Sequence, residues 1–164
     1  MNALFIGNSY TFHHDMPAVL ASMFASRGLP FGIGRYLRGG ASFRDHWLDN
    51  LGQSEDRDDR PLSRPLDADR VGKLDELLTE REWDVVVLQG QSRDPLDTPD
   101  AFGEFGRLLA DRARQIGRVE RVVLYLTWSR RNLPADQPQI TRAYMELARE
   151  IQAEIAPVGE AWKE

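Results

Sequence analysis

In Ala3-Leu4-Phe5-Ile6-Gly7-Asn8-Ser9-Tyr10-Thr11, four consecutive apolar residues run into a glycine and then into polar residues. So short an unbroken apolar run is the pattern of a strand buried on both faces, which belongs in a parallel sheet. Downstream, Asp15 has the chemistry of a helix N-cap and Pro17 suits a first turn. Val19, Leu20, Met23 and Phe24 then recur at helical spacing, and Gly28 closes the segment. Strand, turn and helix are therefore written into the opening of the chain.

The alternation repeats. Phe31 to Leu37 reads as a second strand, followed by the loop Arg38-Gly39-Gly40-Ala41-Ser42. Phe43, Trp47, Leu48 and Leu51 fit a short helix ending at Gly52, with Trp47 facing inward and His46 on the exposed side. Gln53 to Leu66 is polar and charged and reads as a solvated excursion; its Glu55-Asp56-Arg57-Asp58-Asp59-Arg60 run is a solvated face. Val71, Leu74, Leu77 and Leu78 mark a helix, and Trp83-Asp84-Val85-Val86-Val87-Leu88 is the most explicit strand, continuous and β-branched. Thr98-Pro99 opens a helix that carries Phe102, Phe105, Leu108, Leu109 and Ile116 and ends at Gly117. Val119 to Thr127 is a further strand. Asp136 begins a long helix with Ile140, Tyr144, Leu147, Ile151 and Ile155 on one face, and Pro157-Val158-Gly159 starts a last strand. Apolar strands alternating with amphipathic helices give βαβ units, and right-handed crossovers wind them into a three-layer α/β/α sandwich. The expected fold is α/β, a doubly wound, flavodoxin-like parallel sheet of about five strands forming one domain over 1–164.

Composition narrows the function. With 41% hydrophobic and 29% charged residues, the chain is an ordinary globular one. Its formal net charge of −5 is spread among scattered bases, with no basic stripe for nucleic acid and no polybasic cluster for a membrane surface. The absence of cysteine removes disulfides, thiolate metal sites and cysteine nucleophiles. His13, His14 and His46 lack the spacing of a zinc motif, so no metal or cofactor is expected. No run of about 18 apolar residues occurs, and the opening residues are too few and uncharged for a signal peptide. The expected location is cytoplasmic.

In a doubly wound sheet, ligands bind beyond the carboxyl ends of the strands. Those ends hold Gly7-Asn8-Ser9, Gly39-Gly40, Gln89-Gly90-Gln91-Ser92 and Trp128-Ser129. Acyl transfer needs a hydroxyl on a tight strand-to-helix turn and donors aimed at the developing oxyanion. Ser9 has that position, and its own N–H could be one donor. Gly40 lets a backbone N–H approach closely, and the Gln91 amide is a neutral donor. Each has an ordinary structural reading when taken alone, as a cap, a turn or a loop tie. Their convergence at three strand ends is what carries the argument.

Those residues resemble the sequence blocks of the SGNH (GDSL-like) hydrolases. Leu4-Phe5-Ile6-Gly7-Asn8-Ser9-Tyr10-Thr11 looks like the first block in a Gly-Asn-Ser form, and Gly40 resembles the glycine of the second. Gln89-Gly90-Gln91-Ser92 sits where the third block, Gly-x-Asn-Asp, belongs, and is also similar to a stretch of sialate O-acetylesterase relatives. The resemblance implies ester hydrolysis, often of acetyl groups on carbohydrates, with Ser9 as nucleophile and first oxyanion donor. Gly40 would give a backbone N–H, and Gln91 would replace the family's asparagine. Asn8, Ser92, Trp128 and His13 are the positions expected to touch or support substrate. The family's last block, Asp-x-x-His, supplies the general base, and no such motif follows Ala156-Pro157-Val158-Gly159-Glu160-Ala161-Trp162-Lys163-Glu164. The expectation is a domain lacking that segment, either a piece of a longer protein or a shortened member. His13, four residues after Ser9, is one conceivable stand-in; the alternative places His13 and His14 in an exposed loop before Asp15.

Two other function classes fit the same fold. Without a base, the crevice would serve a non-enzymatic protein that binds an acylated sugar or a partner. A flavin or nucleotide binder would share the topology, but Gly7-Asn8-Ser9-Tyr10-Thr11-Phe12 has one glycine and bulky aromatics where a phosphate cradle needs several glycines.

Overall fold

Strand β1 (Asn2–Gly7) lies at the heart of the sheet, flanked by β2 (Gly32–Leu37) and β3 (Val85–Leu88). Beyond β3 come β4 (Arg121–Tyr125) and β5 (Glu154–Ala156), giving the order β2-β1-β3-β4-β5 with every pair parallel. These elements come from a computed structural model that describes residues 1–53 and 74–161. The expected excursion beyond Gln53, its charged run and Val71 lie outside the described residues.

Alternation along β1 assigns its residues to two layers. Leu4 and Ile6 face one cluster with Val86, Leu88, Val122 and Leu124. That face is covered by α3 (Phe43–Asn50), α4 (Leu74–Glu80), the short α5 (Asp94–Asp97), α6 (Pro99–Gly117) and α7 (Gln137–Glu150). Ala3 and Phe5 face the other way, toward Phe12 of α1 (Ser9–Phe12) and Met16 and Leu20 of α2 (Met16–Ala25). Helices on both faces explain why these strands read as continuous apolar runs. The α/β/α architecture expected from the alternation is the one observed.

Four local expectations need correction. On α2, Val19 and Met23 are 54% and 52% exposed. The helix, Met-Pro-Ala-Val-Leu-Ala-Ser-Met-Phe-Ala, is apolar on nearly all sides, so spacing does not select which face is buried. On α3, His46 is not on the exposed side but only 1% exposed, while Trp47 is partly buried. The buried face of α3 is Phe43, His46, Asp49 and Asn50, mostly polar and hence invisible to an apolar period. Helix α7 ends at Glu150, and Ile155 belongs to β5; its spacing of four from Ile151 is fortuitous.

The fourth concerns the last strand, which is Glu154–Ala156 rather than a strand beginning at Pro157. Val158–Ala161 is a single helical turn, α8. It is docked on the end of β4, where the Gly159 N–H donates to the Leu126 carbonyl at 2.8 Å. A Cβ on Gly159 would stand 2.0 Å from the Thr127 carbonyl oxygen, a separation no side chain tolerates.

Candidate active site

Parallel register brings four strand ends to one edge. Gly7 pairs with Leu37, Ile6 with Leu88, and Leu88 with Leu124. Asn8, Arg38, Gln89 and Leu126 therefore leave the sheet side by side.

Ser9 is the first residue of α1, directly after the N-cap Asn8. The Asn8 side-chain oxygen accepts from the Tyr10 N–H at 3.1 Å, while its Nδ2 donates to the Ala41 carbonyl at 2.9 Å. This amide, 3% exposed, ties the first strand end to the loop after β2. The Asn8 N–H donates to Gln89 Oε1 at 2.9 Å, and the Thr11 hydroxyl donates to the same oxygen at 2.9 Å. The other half of the Gln89 amide donates to the Gly90 carbonyl. Gln89 is fully buried. It comes so close that a Cβ on Gly7 would stand 2.8 Å from its Oε1, so a larger first residue in the Gly-Asn-Ser turn would have to displace the buried Gln89 amide. Ser9 itself is half-buried, and among the described residues its Oγ has no hydrogen-bond partner.

Gly40, exposed and with φ +69°, and Gln91, half-buried, lie on the wall of one cleft of 340 Å³. Ser42, Asp45, Asp94 and Phe102 also line it, whereas Ser9 does not. Gln91 Oε1 accepts from the Arg93 N–H at 2.6 Å, which leaves the NH₂ half of its amide for other partners. Ser92 is half-buried in the following turn. Trp128, beyond β4, stacks on Tyr10 with ring centroids 4.5 Å apart and planes 11° from parallel. Tyr10, next to Ser9 in the chain, is thus half of an aromatic pair. The Trp128 side of this edge is fixed by Gln137, which accepts from the Ser129 N–H at 2.7 Å and donates to the Thr127 carbonyl at 3.2 Å.

His13 lies exposed in the turn between α1 and α2, edge-on to His14 at 4.2 Å. Its φ/ψ of −61°/127° ends α1. Its N–H still donates to the Ser9 carbonyl, one turn back, while His14 and Asp15 take positive φ and turn the chain into α2. Arg35 anchors this turn through a 2.9 Å ion pair with Asp15.

Asp94 is the titratable group that the cleft perturbs most plainly. Burial, then the neighbouring Asp45 and Asp97 carboxylates, push its pKa up to about 6, against an opposing hydrogen bond from the Gln91 backbone. Its folded pKa lies above its unfolded value, so the folded state binds the extra proton. Stability from this group is present below about pH 4 and is lost as pH rises through about 6. Asp94→Asn is therefore expected to stabilise the fold at pH 8 and to make no difference at pH 3.5. Discounted for the hydrated part of the carboxyl, the gain is about 1–2 kcal/mol. Urea midpoints at the two pH values measure it, and an equal gain at both would contradict this account.

Sequence reasoning missed Gln89 and His46. Their signal was weak but present: a polar residue abutting an apolar strand end or recurring on a helix's inner face must find a partner once buried.

No protein-family model matches the chain, and no curated protein matches it. Solved structures do. A candidate SGNH hydrolase from Slackia heliotrinireducens superposes with a TM-score of 0.72 at 24% identity, covering 99% of this chain and 82% of that one. The psychrotrophic esterase EstA from Pseudoalteromonas sp., in a structure inhibited by monoethylphosphonate, gives 0.65 at 12% identity over 94% and 75%. The acetylxylan esterase Axe2 from Geobacillus stearothermophilus gives 0.62 at 14% over 94% and 74%. At these identities the likeness is one of fold.

Proposed function

We propose, from the premise that the chain carries the SGNH-hydrolase fold, that it belongs to chemistry in which carboxylic esters are cleaved through an acyl-enzyme on Ser9. Ser9 Oγ adds to the ester carbonyl, its proton passes to a base, and the alcohol leaves with a proton as the acyl–serine forms. Water then takes the place of the alcohol, releasing the acid and restoring the serine. The Ser9 and Gly40 N–H groups and the Gln91 NH₂ are the donors assigned to the oxyanion. The observation that carries this reading is the setting of Ser9. It sits on a turn where the Asn8 N–H, the Asn8 side chain and the Tyr10 N–H are committed to the protein, and its own hydroxyl is left without a partner among the described residues.

Acetyl esters of carbohydrates are the substrates favoured. A polar cleft with an aromatic wall residue, Phe102, suits a hydroxyl-rich alcohol, and an acetylxylan esterase shares the fold. No Asp-x-x-His motif occurs in these 164 residues, and the base is left unassigned.

Trapping tests the nucleophile without requiring turnover. An activated aryl alkylphosphonate, chosen because a fold neighbour was inhibited by a phosphonate, is incubated with the chain and the product weighed. One adduct, located on the peptide containing Ser9, is expected. No adduct, or an adduct on another residue, sinks the reading and leaves a protein that only binds.

A further inference from the structure

The Gly7 carbonyl is the last of β1 and belongs to the peptide unit that enters the Asn8-Ser9 turn. It accepts two hydrogen bonds, from the Arg38 N–H at 3.0 Å and from His46 Nε2 at 2.8 Å. A carbonyl oxygen has only lone pairs to offer, so the facing ring nitrogen must carry the proton. The N–H of that same peptide unit donates to Gln89 Oε1 at 2.9 Å. The Gly7–Asn8 peptide plane is therefore held at both ends, at the carbonyl by His46 and at the amide by Gln89. Rotation of the plane would cost these bonds and the one from the Arg38 N–H together.

His46 is suited to hold rather than to react. It is 1% exposed, its ring packs against Tyr36 with centroids 5.3 Å apart, and α3 delivers it from beneath the sheet end. Burying an imidazole where an apolar residue would pack needs a reason, and the reason on view is the carbonyl that would otherwise share its two lone pairs with one donor.

We infer that His46 is a positioning residue for Ser9: its Nε2–H fixes the Gly7–Asn8 peptide and so sets where the Ser9 hydroxyl stands. This rests on Ser9 being the nucleophile, yet the hold itself has a readout independent of any reaction. A displacement of about 1 Å at a reacting atom can slow a reaction by about a hundredfold. The loss expected here is therefore in the rate of attack, with ground-state binding little changed.

The experiment compares His46→Met, similar in bulk and without a donor, with His46→Gln, whose amide can still donate to Gly7. Labelling of Ser9 by the aryl alkylphosphonate is expected to slow about tenfold or more in His46→Met. The expected change lies in the limiting rate rather than in the half-saturating concentration, and His46→Gln should recover most of it. Hydrogen exchange at the Asn8 amide should quicken in His46→Met and stay slow in His46→Gln. A wild-type labelling rate in His46→Met, or loss without recovery in His46→Gln, overturns the inference. If wild type itself takes no label at Ser9, the nucleophile reading falls, and Asn8 exchange alone decides on His46; unchanged exchange in His46→Met overturns it. If His46→Met does not fold, ¹⁵N spectra of the wild-type imidazole decide: a proton on Nδ1 instead of Nε2 overturns the assignment, and one on Nε2 with retained labelling in His46→Gln upholds it.

Discussion

Ser9→Ala is expected to bring hydrolysis of p-nitrophenyl acetate down to the uncatalysed background, a loss of at least about a hundredfold relative to the parent chain. The probe matters. A nitrophenolate leaves without needing a proton, so the assay does not depend on a general acid, and activity that disappears with Ser9 would also show that a base able to take the Ser9 proton is present. The substitution removes one oxygen from a half-buried side chain that makes no hydrogen bond among the described residues. The fold should therefore keep its stability to within about 0.5 kcal/mol, checked by urea midpoint. The backbone N–H of residue 9 survives, so any rate left above background would measure the oxyanion donors alone. Equal hydrolysis by the two proteins would remove Ser9 from the mechanism, since a surface lysine or histidine acylated by the ester would be untouched by the change.

The sheet was legible because each of its inner strands is buried on both faces, and Leu4-Phe5-Ile6 or Val85-Val86-Val87-Leu88 has no alternative home. The end of the chain was misread because Pro157-Val158-Gly159 carries strand-like residues. What it forms is set by the docking of Gly159 on the Leu126 and Thr127 carbonyls, contacts more than thirty residues away. The serine turn, the glycine loop and Gln91 were legible as strand-end chemistry, and the structure puts Gly40 and Gln91 on one cleft. The supports beneath them were not legible. Between the two amides that flank Gly90, the likeness to the third block picks out Gln91 for the chemistry and gives no sign of what Gln89 holds. Register decides: Gln89 continues β3 inward beside Gly7, while Gln91, two residues further, is half-buried at the cleft. His46 was assigned outward because it interrupts an apolar period, although polar residues fill most of the buried face of α3.

Stability should accordingly depend more on Gln89 than on any residue assigned to the chemistry. Gln89→Leu keeps the volume and removes the amide, leaving the Asn8 N–H, the Thr11 hydroxyl and the Gly90 carbonyl without the partner they have now. Each buried group left unpaired costs about 1–3 kcal/mol, and local adjustment recovers part of the sum, so a loss of about 3–5 kcal/mol is expected by urea denaturation. That is a large share of the 5–15 kcal/mol typical of a domain. Gln89→Glu separates the roles of the two amide ends. A carboxyl oxygen can still accept from Asn8 and Thr11, but only the protonated acid can donate to the Gly90 carbonyl. The buried acid binds its proton more tightly folded than unfolded, so this variant should lie nearer to wild type at pH 4 and fall away as pH rises toward 8. Gln89→Leu should show no such extra slope. A Gln89→Leu midpoint within about 1 kcal/mol of wild type would mean that water or a shifted neighbour satisfies the three groups. The turn carrying Ser9 would then owe its shape to Asn8 and to the hold of Arg38 and His46 on the Gly7 carbonyl.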